Sequence, residues 1–278
     1  EVTAIGALEL DLGAAIAAGR SPASFDLAIY AAYRPLHRLP QAERLPLLVG
    51  APAESLLGEL LRCQIVEPLE EAALRRHIPV LTPIADTTSK AVRAQYEENP
   101  YPRWRWLPGV PATGGAPVPV AKADATERVL IAGCGTGRHP VTVAREHPGS
   151  SILAIDLSLA SLAYALRRTR EYGLLNVEFA QADLLRLPDT GMTFDAITSV
   201  GVVHHMERPV DGLDALRRLM AHDHGLKVAV YTESGRQGYL AAMRLRAELG
   251  IAPSPEGIRM FRQMIWSLAD GNPAREVG

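Results

Sequence analysis

Three glycines follow an apolar run near the middle of the chain. The run Arg128–Ala132 leads directly into Gly133-Cys134-Gly135-Thr136-Gly137, and a helical pattern begins at about His139. In a turn between a strand and a helix, glycine lets a ligand approach the main chain without a Cβ in the way, and the helix that follows offers unpaired N–H groups. The spacing predicts a ligand-binding turn, in which Cys134 is a small buried residue and not a reactive thiol.

Two carboxylates stand at the ends of the next two apolar runs. Asp156, followed by Leu157, ends the second run, 19 residues after Gly137. An acidic residue there can accept hydrogen bonds from both hydroxyls of a ribose. Asp183 ends the third run, where its carboxylate can accept from an adenine amino group. The alternatives are a helix N-cap for Asp156 and a solvated loop residue for Asp183.

Glycine spacing separates two classes of nucleoside-containing cofactor. A dinucleotide-binding turn has a glycine three places after its second one, but the residue three after Gly135 is Arg138, and the third glycine comes earlier, at Gly137. A nicotinamide-dependent oxidoreductase is therefore the disfavoured alternative.

Apolar runs alternate with amphipathic segments from residue 127 onward, which predicts an α/β fold with a Rossmann-like parallel sheet and helices on both faces. We expect a small helical accessory region over residues 1–90, a linker or lid over 91–126 and the main domain over 127–278. The predicted strands are Arg128–Ala132, Ser151–Ile155, Val177–Gln181, Phe194–Val200 and Leu226–Tyr231. Helices are predicted from His139, from Leu159, and over Val210–Met220, Tyr239–Leu249 and Gly257–Ala269.

These motifs in this order resemble class I S-adenosylmethionine-dependent methyltransferases. The matching residues are the glycine turn, Asp156, Ala182-Asp183-Leu184 and, after the fourth run, Val202-Val203-His204-His205-Met206. The resemblance implies S-adenosylmethionine as cofactor, with its methionine part at the turn, its ribose at Asp156 and its adenine at Asp183. It implies the binding set Gly133, Cys134, Gly135, Gly137, Asp156, Leu157, Ala182, Asp183, Leu184, Val200 and Gly201.

The segment Gln95–Trp104 further resembles bacterial methyltransferases with a helical, often tetratricopeptide-like, N-terminal region. We expect its aromatic residues to cover the cofactor mouth or to fasten the linker to the main domain. Many family members carry an acidic residue where this chain has Ile131. Recognition of the cofactor's amino group is therefore expected from backbone carbonyls of the turn or from the Tyr96–Trp104 segment.

The resemblance implies methyl transfer by direct displacement, with no metal required. A general base is needed only for an alcohol or phenol acceptor, and neither His204 nor His205 is assigned that role. The acceptor is open, with a small molecule or a protein favoured. Nucleic acid is not expected, because 29 Lys and Arg balance 31 Asp and Glu. The alternative is a non-catalytic cofactor-binding module whose N-terminal helices bind a protein partner.

Composition completes these expectations. With 47% hydrophobic and 22% charged residues the chain is expected to fold throughout most of its length. Cys63 and Cys134 are expected to be reduced thiols in a cytoplasmic protein without a membrane span. Residues Asp270–Gly278 are too few for the antiparallel hairpin that usually completes the family's sheet, so these C-terminal strands are expected to be missing, with the fifth strand left as a sheet edge.

Overall fold

A computed structural model describes residues 2–107, 127–221, 225–268, 271–272 and 274–275. Helices form the N-terminal third, and a sheet flanked by helices forms the rest. The helices before the sheet are α1 (Val2–Ala17), α2 (Ser24–Tyr33), α3 (Leu45–Val49), α4 (Leu56–Leu61), α5 (Glu67–Leu74) and α6 (Thr87–Glu98). Among the described residues, no helix has the length and apolar character needed to cross a membrane.

The N-terminal helices have their own apolar core, which includes Ile16, Leu27, Leu45 and Ile65. Proline and capping residues explain why the helices are short. For example, Ser55 caps α4 by accepting a hydrogen bond from the Gly58 N–H at 3.0 Å. Further helices follow within the sheet domain, namely α7 (Arg138–Glu146), α8 (Leu159–Glu171), α9 (Pro209–Arg218), α10 (Gln237–Glu248) and α11 (Pro255–Ser267).

Five parallel strands form the sheet in the order β3-β2-β1-β4-β5. Their bounds are β1 Glu127–Ala132, β2 Ser150–Asp156, β3 Val177–Gln181, β4 Ala196–Val200 and β5 Leu226–Ala229. Side chains of β1 alternate between two apolar clusters, with Ile131 in one and Leu130 in the other. The chain order reverses between β1 and β4, and ligands of open parallel sheets bind at the carboxyl ends of the strands beside such a point.

The predicted Rossmann-like sheet with a preceding helical region is confirmed. All five strands and the five helices after β1 occur where the sequence predicts them, with differences of at most two residues at their ends. The fifth strand is shorter than predicted and ends at Ala229. No strand follows β5 in the described part of the chain, so β5 is an edge of the sheet there. A tetratricopeptide-like arrangement of the N-terminal helices is not confirmed.

Residues 87–98 form α6, a helix that was not among those predicted, and its part from residue 91 falls within the expected linker or lid. Asp86 caps this helix, accepting a hydrogen bond from the Ser89 N–H at 2.8 Å. The next proline is Pro100, just beyond the helix end. Helix α6 crosses the domain boundary expected at residue 90, and that boundary stays a prediction. Most of the predicted linker, residues 108–126, lies outside the described residues.

Candidate functional site

The glycine turn joins β1 to α7 at the carboxyl end of the sheet. The N–H groups of Gly133 and Cys134 both donate to the Ile155 carbonyl at 2.9 Å, which ties the turn to the end of β2. Gly135 has φ of +53°, and a Cβ added there would find no atom closer than 3.9 Å. The left-handed backbone favours glycine at this position, and the open space beside it is free for a ligand.

Gly137 has a different task. It precedes α7 with φ of +85°, and a Cβ there would lie 2.4 Å from Cβ of Ala165 on α8. Helix packing therefore requires this glycine, and Gly137 does not line the cavity beside the turn. A direct contact between Gly137 and the cofactor stays a prediction.

Asp156 is the carboxylate nearest the turn. Its Oδ2 accepts a hydrogen bond from the Gly135 N–H at 2.8 Å, and its Oδ1 accepts one from the Ser158 N–H at 3.0 Å. Burial raises the pKa of Asp156 above its ordinary value, while these two N–H groups favour the charged form. A carboxylate has about four acceptor sites, so this fixed carboxylate retains acceptor capacity for two hydroxyls.

Asp183 lies on the next strand connection. Its Oδ1 accepts from the Leu185 N–H at 3.1 Å, and its backbone N–H donates to Oγ1 of Thr82 at 2.8 Å. Oδ2 is buried and has no hydrogen-bond partner among the described residues. A buried polar atom without a partner is rare, because leaving it unpaired costs about 1–3 kcal/mol. The free oxygen of Asp183, on a residue that lines the cavity, is suited to accept from a ligand amino group.

These groups surround one cavity of about 490 Å³, within the usual size of small-molecule sites. Apart from Gly137, every predicted cofactor residue lines it, namely Gly133, Cys134, Gly135, Asp156, Leu157, Ala182, Asp183, Leu184, Val200 and Gly201. Burial and the Asp156 charge raise the pKa of Cys134 well above that of a free thiol, so the thiol is protonated. That state agrees with the predicted small buried residue.

A second wall of the cavity comes from the segment before the sheet. Residues Thr88, Ser89, Val92 and Tyr96 of α6 line it, and so do Tyr101 and Pro102. The sequence drew attention to the aromatic residues of this segment but not to Thr88, Ser89 and Val92. Arg103, Trp104 and Trp106 do not line the cavity. The prediction that this segment closes over a bound cofactor stays a prediction.

Helix α6 is held over the site by Glu97. The two oxygens of its carboxylate accept from the Leu159 and Ala160 N–H groups at 2.9 Å, at the start of α8. Burial and the Asp156 charge raise the pKa of Tyr96. The phenol is therefore protonated at neutral pH and can donate a hydrogen bond into the cavity.

The two histidines after β4 have different positions. His205 lines the cavity, while His204 does not. The rings of His204 and Tyr231 lie with centroids 4.5 Å apart, and Tyr231 also lines the cavity. Burial lowers the pKa of both histidines, and the nearby Arg236 cation lowers it further. Both are neutral at pH 7, and this end of the cavity is aromatic.

The cavity fits a nucleoside joined to a short polar chain. The space beside Gly135, the acceptor sites of Asp156 and the free oxygen of Asp183 supply groups for a chain, a ribose and an amino-substituted base. Ile131 lines the cavity, but its apolar side chain offers no acceptor to a ligand amine. The Tyr96–Trp104 segment was expected to recognise the ligand amine in place of an acidic residue, and its Tyr96 and Tyr101 line the cavity.

Comparisons with known proteins agree with this geometry. Residues 129–223 match a family model described as a methyltransferase domain. An uncharacterised Synechococcus protein is 36% identical over 167 residues, covering 54% of this chain and 39% of the relative. The malonyl-[acyl-carrier protein] O-methyltransferase of a Paenibacillus species is 27% identical over 153 residues, covering 52% of this chain and 54% of that enzyme. The chain thus spans about half or less of the length of these relatives.

Among solved structures, PKMT2 from Rickettsia typhi in complex with AdoHcy is similar to this chain. The TM-score is 0.42 and the identity 25%, over 52% of this chain and 29% of the other. The YcgJ protein from Bacillus gives a TM-score of 0.40 at 17% identity, over 54% of this chain and 82% of that chain.

Proposed function

We propose that this chain, in which residues 129–223 match a methyltransferase domain model, binds S-adenosylmethionine and transfers its methyl group to an acceptor by direct displacement. One observation carries the proposal. The carboxylate of Asp156 is fixed on the glycine turn through Gly135, and a buried, unpartnered oxygen of Asp183 belongs to the same cavity. These are the acceptors that an adenosine group needs.

The residues of this chain bind and orient the cofactor and keep water away from it. Gly133 and Gly135 accept the methionine part, Asp156 the ribose and Asp183 the adenine amino group. Bound S-adenosylmethionine supplies a methyl group already activated by its sulfonium. The protein therefore has to align an acceptor with this group, and positioning of this kind can supply roughly 7–11 kcal/mol of a barrier.

The acceptor approaches from the aromatic end of the cavity, where His205 and Tyr231 lie at the carboxyl ends of β4 and β5. A small molecule or a protein side chain is the favoured acceptor class. One relative's name, malonyl-[acyl-carrier protein] O-methyltransferase, describes methyl transfer to a carrier-bound acid.

We place the reaction in the cytoplasm, because Cys63 and Cys134 are both free thiols.

The test begins with calorimetric titration of the chain with S-adenosylmethionine and S-adenosylhomocysteine. Transfer of tritium from methyl-labelled S-adenosylmethionine is then followed into the small-molecule and the protein fractions of a cell extract. We expect binding with a stoichiometry of one and labelling that is lost in Asp156→Ala. Binding of S-adenosylmethionine without methyl transfer would favour the non-catalytic module. Absence of binding to either ligand would contradict the proposed function.

A further inference from the structure

Trp104 lies behind the glycine turn and outside the cavity. Its side chain is 7% exposed, although the neighbouring Trp106 is 62% exposed. The indole Nε1–H donates a hydrogen bond to the Thr136 carbonyl at 2.8 Å. Thr136 stands between the two glycines Gly135 and Gly137, so this bond reaches the centre of the turn from outside.

A second bond fastens the same turn. The Thr136 hydroxyl donates to the Pro102 carbonyl. Residues Tyr101–Arg105, called the strap below, therefore contact both the carbonyl and the side chain of Thr136. Tyr101 and Pro102 at the start of the strap are themselves part of the cavity wall.

The strap is anchored on α8. The Tyr164 hydroxyl donates to the Trp104 carbonyl, and the Arg168 guanidinium donates to the Arg105 carbonyl. The Trp104 ring stacks on Tyr172 with centroids 6.0 Å apart and meets the edge of Tyr164 at 6.4 Å. Such pairs of aromatic rings add about 0.5–1.5 kcal/mol beyond their burial, so the indole has a fixed place.

The strap is also tied to the N-terminal helices. Arg103 donates to Oε1 of Glu71 on α5 at 2.8 Å. Glu71 also accepts from Nε of Arg167 on α8 at 3.0 Å. These bonds join the helical region, the strap and α8 at Glu71. Within the strap, Pro102 and Trp104 are the residues bonded to Thr136 of the turn.

We propose that Trp104 is a positioning residue for the cofactor, holding the glycine turn through its bond to the Thr136 carbonyl in the conformation that binds. The turn needs such support because Gly133, Gly135 and Gly137 leave its backbone with many accessible conformations. The indole N–H is the donor that fixes the direction of the Thr136 carbonyl. The inference rests on the proposed function for its ligand, while its effect on the turn does not depend on any ligand.

The first test measures amide hydrogen exchange at Gly135 and Gly137 without ligand, in wild type, Trp104→Phe and the matched control Trp106→Phe. Phenylalanine keeps an aromatic ring and removes the N–H donor. We expect faster exchange at Gly135 and Gly137 in Trp104→Phe and not in Trp106→Phe, at a temperature at which both variants are folded. Unchanged protection of the turn in Trp104→Phe would overturn the proposal. Because the measurement uses no ligand, its result does not depend on whether the chain binds S-adenosylhomocysteine or on the proposed function.

The second test measures affinity for S-adenosylhomocysteine. We expect about tenfold weaker binding in Trp104→Phe, or roughly 1.4 kcal/mol, and wild-type binding in Trp106→Phe. Equal affinity of a folded Trp104→Phe would overturn the proposal.

If Trp104→Phe does not fold, Trp106→Phe combined with Trp266→Phe leaves Trp104 as the one tryptophan. We expect its emission to change on saturation with S-adenosylhomocysteine, because the ligand contacts the turn that carries its acceptor. Unchanged emission at saturation would count against Trp104 as a positioning residue.

Discussion

The N–H of Gly135 donates a 2.8 Å hydrogen bond to Oδ2 of Asp156, which joins the glycine turn after β1 to the carboxylate at the end of β2. This bond fixes the position of the carboxylate relative to the turn. Loss of the Asp156 carboxylate is therefore expected to weaken the ligand contacts of the glycine turn as well as those of the carboxylate itself.

We expect Asp156→Ala to weaken binding of S-adenosylmethionine severely while leaving the chain folded. Hydrogen bonds to a charged group contribute about 1.5–3 kcal/mol each, so losing two ribose contacts is expected to reduce affinity by at least about a hundredfold. Calorimetric titration measures the change, and a thermal melt checks folding. The control is Asp189→Ala, an exposed aspartate paired with Arg186. Wild-type affinity in Asp156→Ala would remove the ribose assignment.

Arg167 is expected to matter for stability. Its guanidinium is buried and pairs with Glu67 and Glu71 on α5 and with Glu171 on α8. Arg167→Leu leaves these carboxylates without their shared cation, and breaking a buried pair in this way costs about 3–5 kcal/mol. Urea unfolding measures the free energy.

A surface pair provides the control for Arg167. Arg217 is 74% exposed at its side chain and pairs with Asp214 at 3.1 Å. Exposed pairs contribute about 0–1 kcal/mol, so Arg217→Ala should unfold almost as wild type does. A loss below 1 kcal/mol in Arg167→Leu would show that the cluster does not join the two regions energetically.

The stability of the fold is expected to fall in mild acid because of its histidines. Burial lowers the pKa of His139 and His204, with Lys227 adding to the effect on His139 and Arg236 to that on His204. The unfolded chain then takes up protons at a higher pH than the folded one. Stability is fully present above the ordinary pKa of about 6.5 and is lost as pH falls through the lowered folded values.

Melting temperatures between pH 7.5 and 5 test this expectation. His139→Gln combined with His204→Gln should show a shallower fall than wild type, because glutamine does not titrate. The exposed His147, for which His147→Gln is the control, should leave the slope unchanged. An equally steep fall in the double variant would contradict the assignment.

The sequence could predict the sheet because its strands are apolar runs with clear ends. Gly133, Asp156 and Asp183 were identified as site residues for the same reason, since each directly follows such a run. Helix α6 was missed because its residues are mostly polar and prolines lie on both sides, so composition indicated a linker. Its start was nevertheless marked by Asp86, an N-cap residue.

The hydrogen bonds that hold the site in place could not be predicted from apolar runs and their ends. Trp104 contacts Thr136, and Glu97 contacts Leu159, over separations of 32 and 62 residues. Such contacts follow from how the helices fold back on the sheet, and no local spacing encodes them. The reason for Gly137 could not be predicted either. The sequence shows that a glycine is present there, but not that the close approach of Ala165 requires it.

Asp183 allows a test of the base that the cavity accepts. Its free Oδ2 accepts hydrogen bonds and donates none when ionised, so it matches the amino group of adenine. Wild type should bind S-adenosylhomocysteine at least about tenfold more tightly than its 6-oxo analogue. The 6-oxo oxygen is itself an acceptor, so it leaves the buried Oδ2 without a hydrogen-bond donor. In Asp183→Asn the side-chain amide can donate to the 6-oxo group, and the preference should disappear or reverse. Calorimetric titration with the two ligands measures the ratio, and Asp195→Asn, outside the cavity lining, is the matched control. A ratio that is the same in wild type and Asp183→Asn would place the adenine contact on another residue.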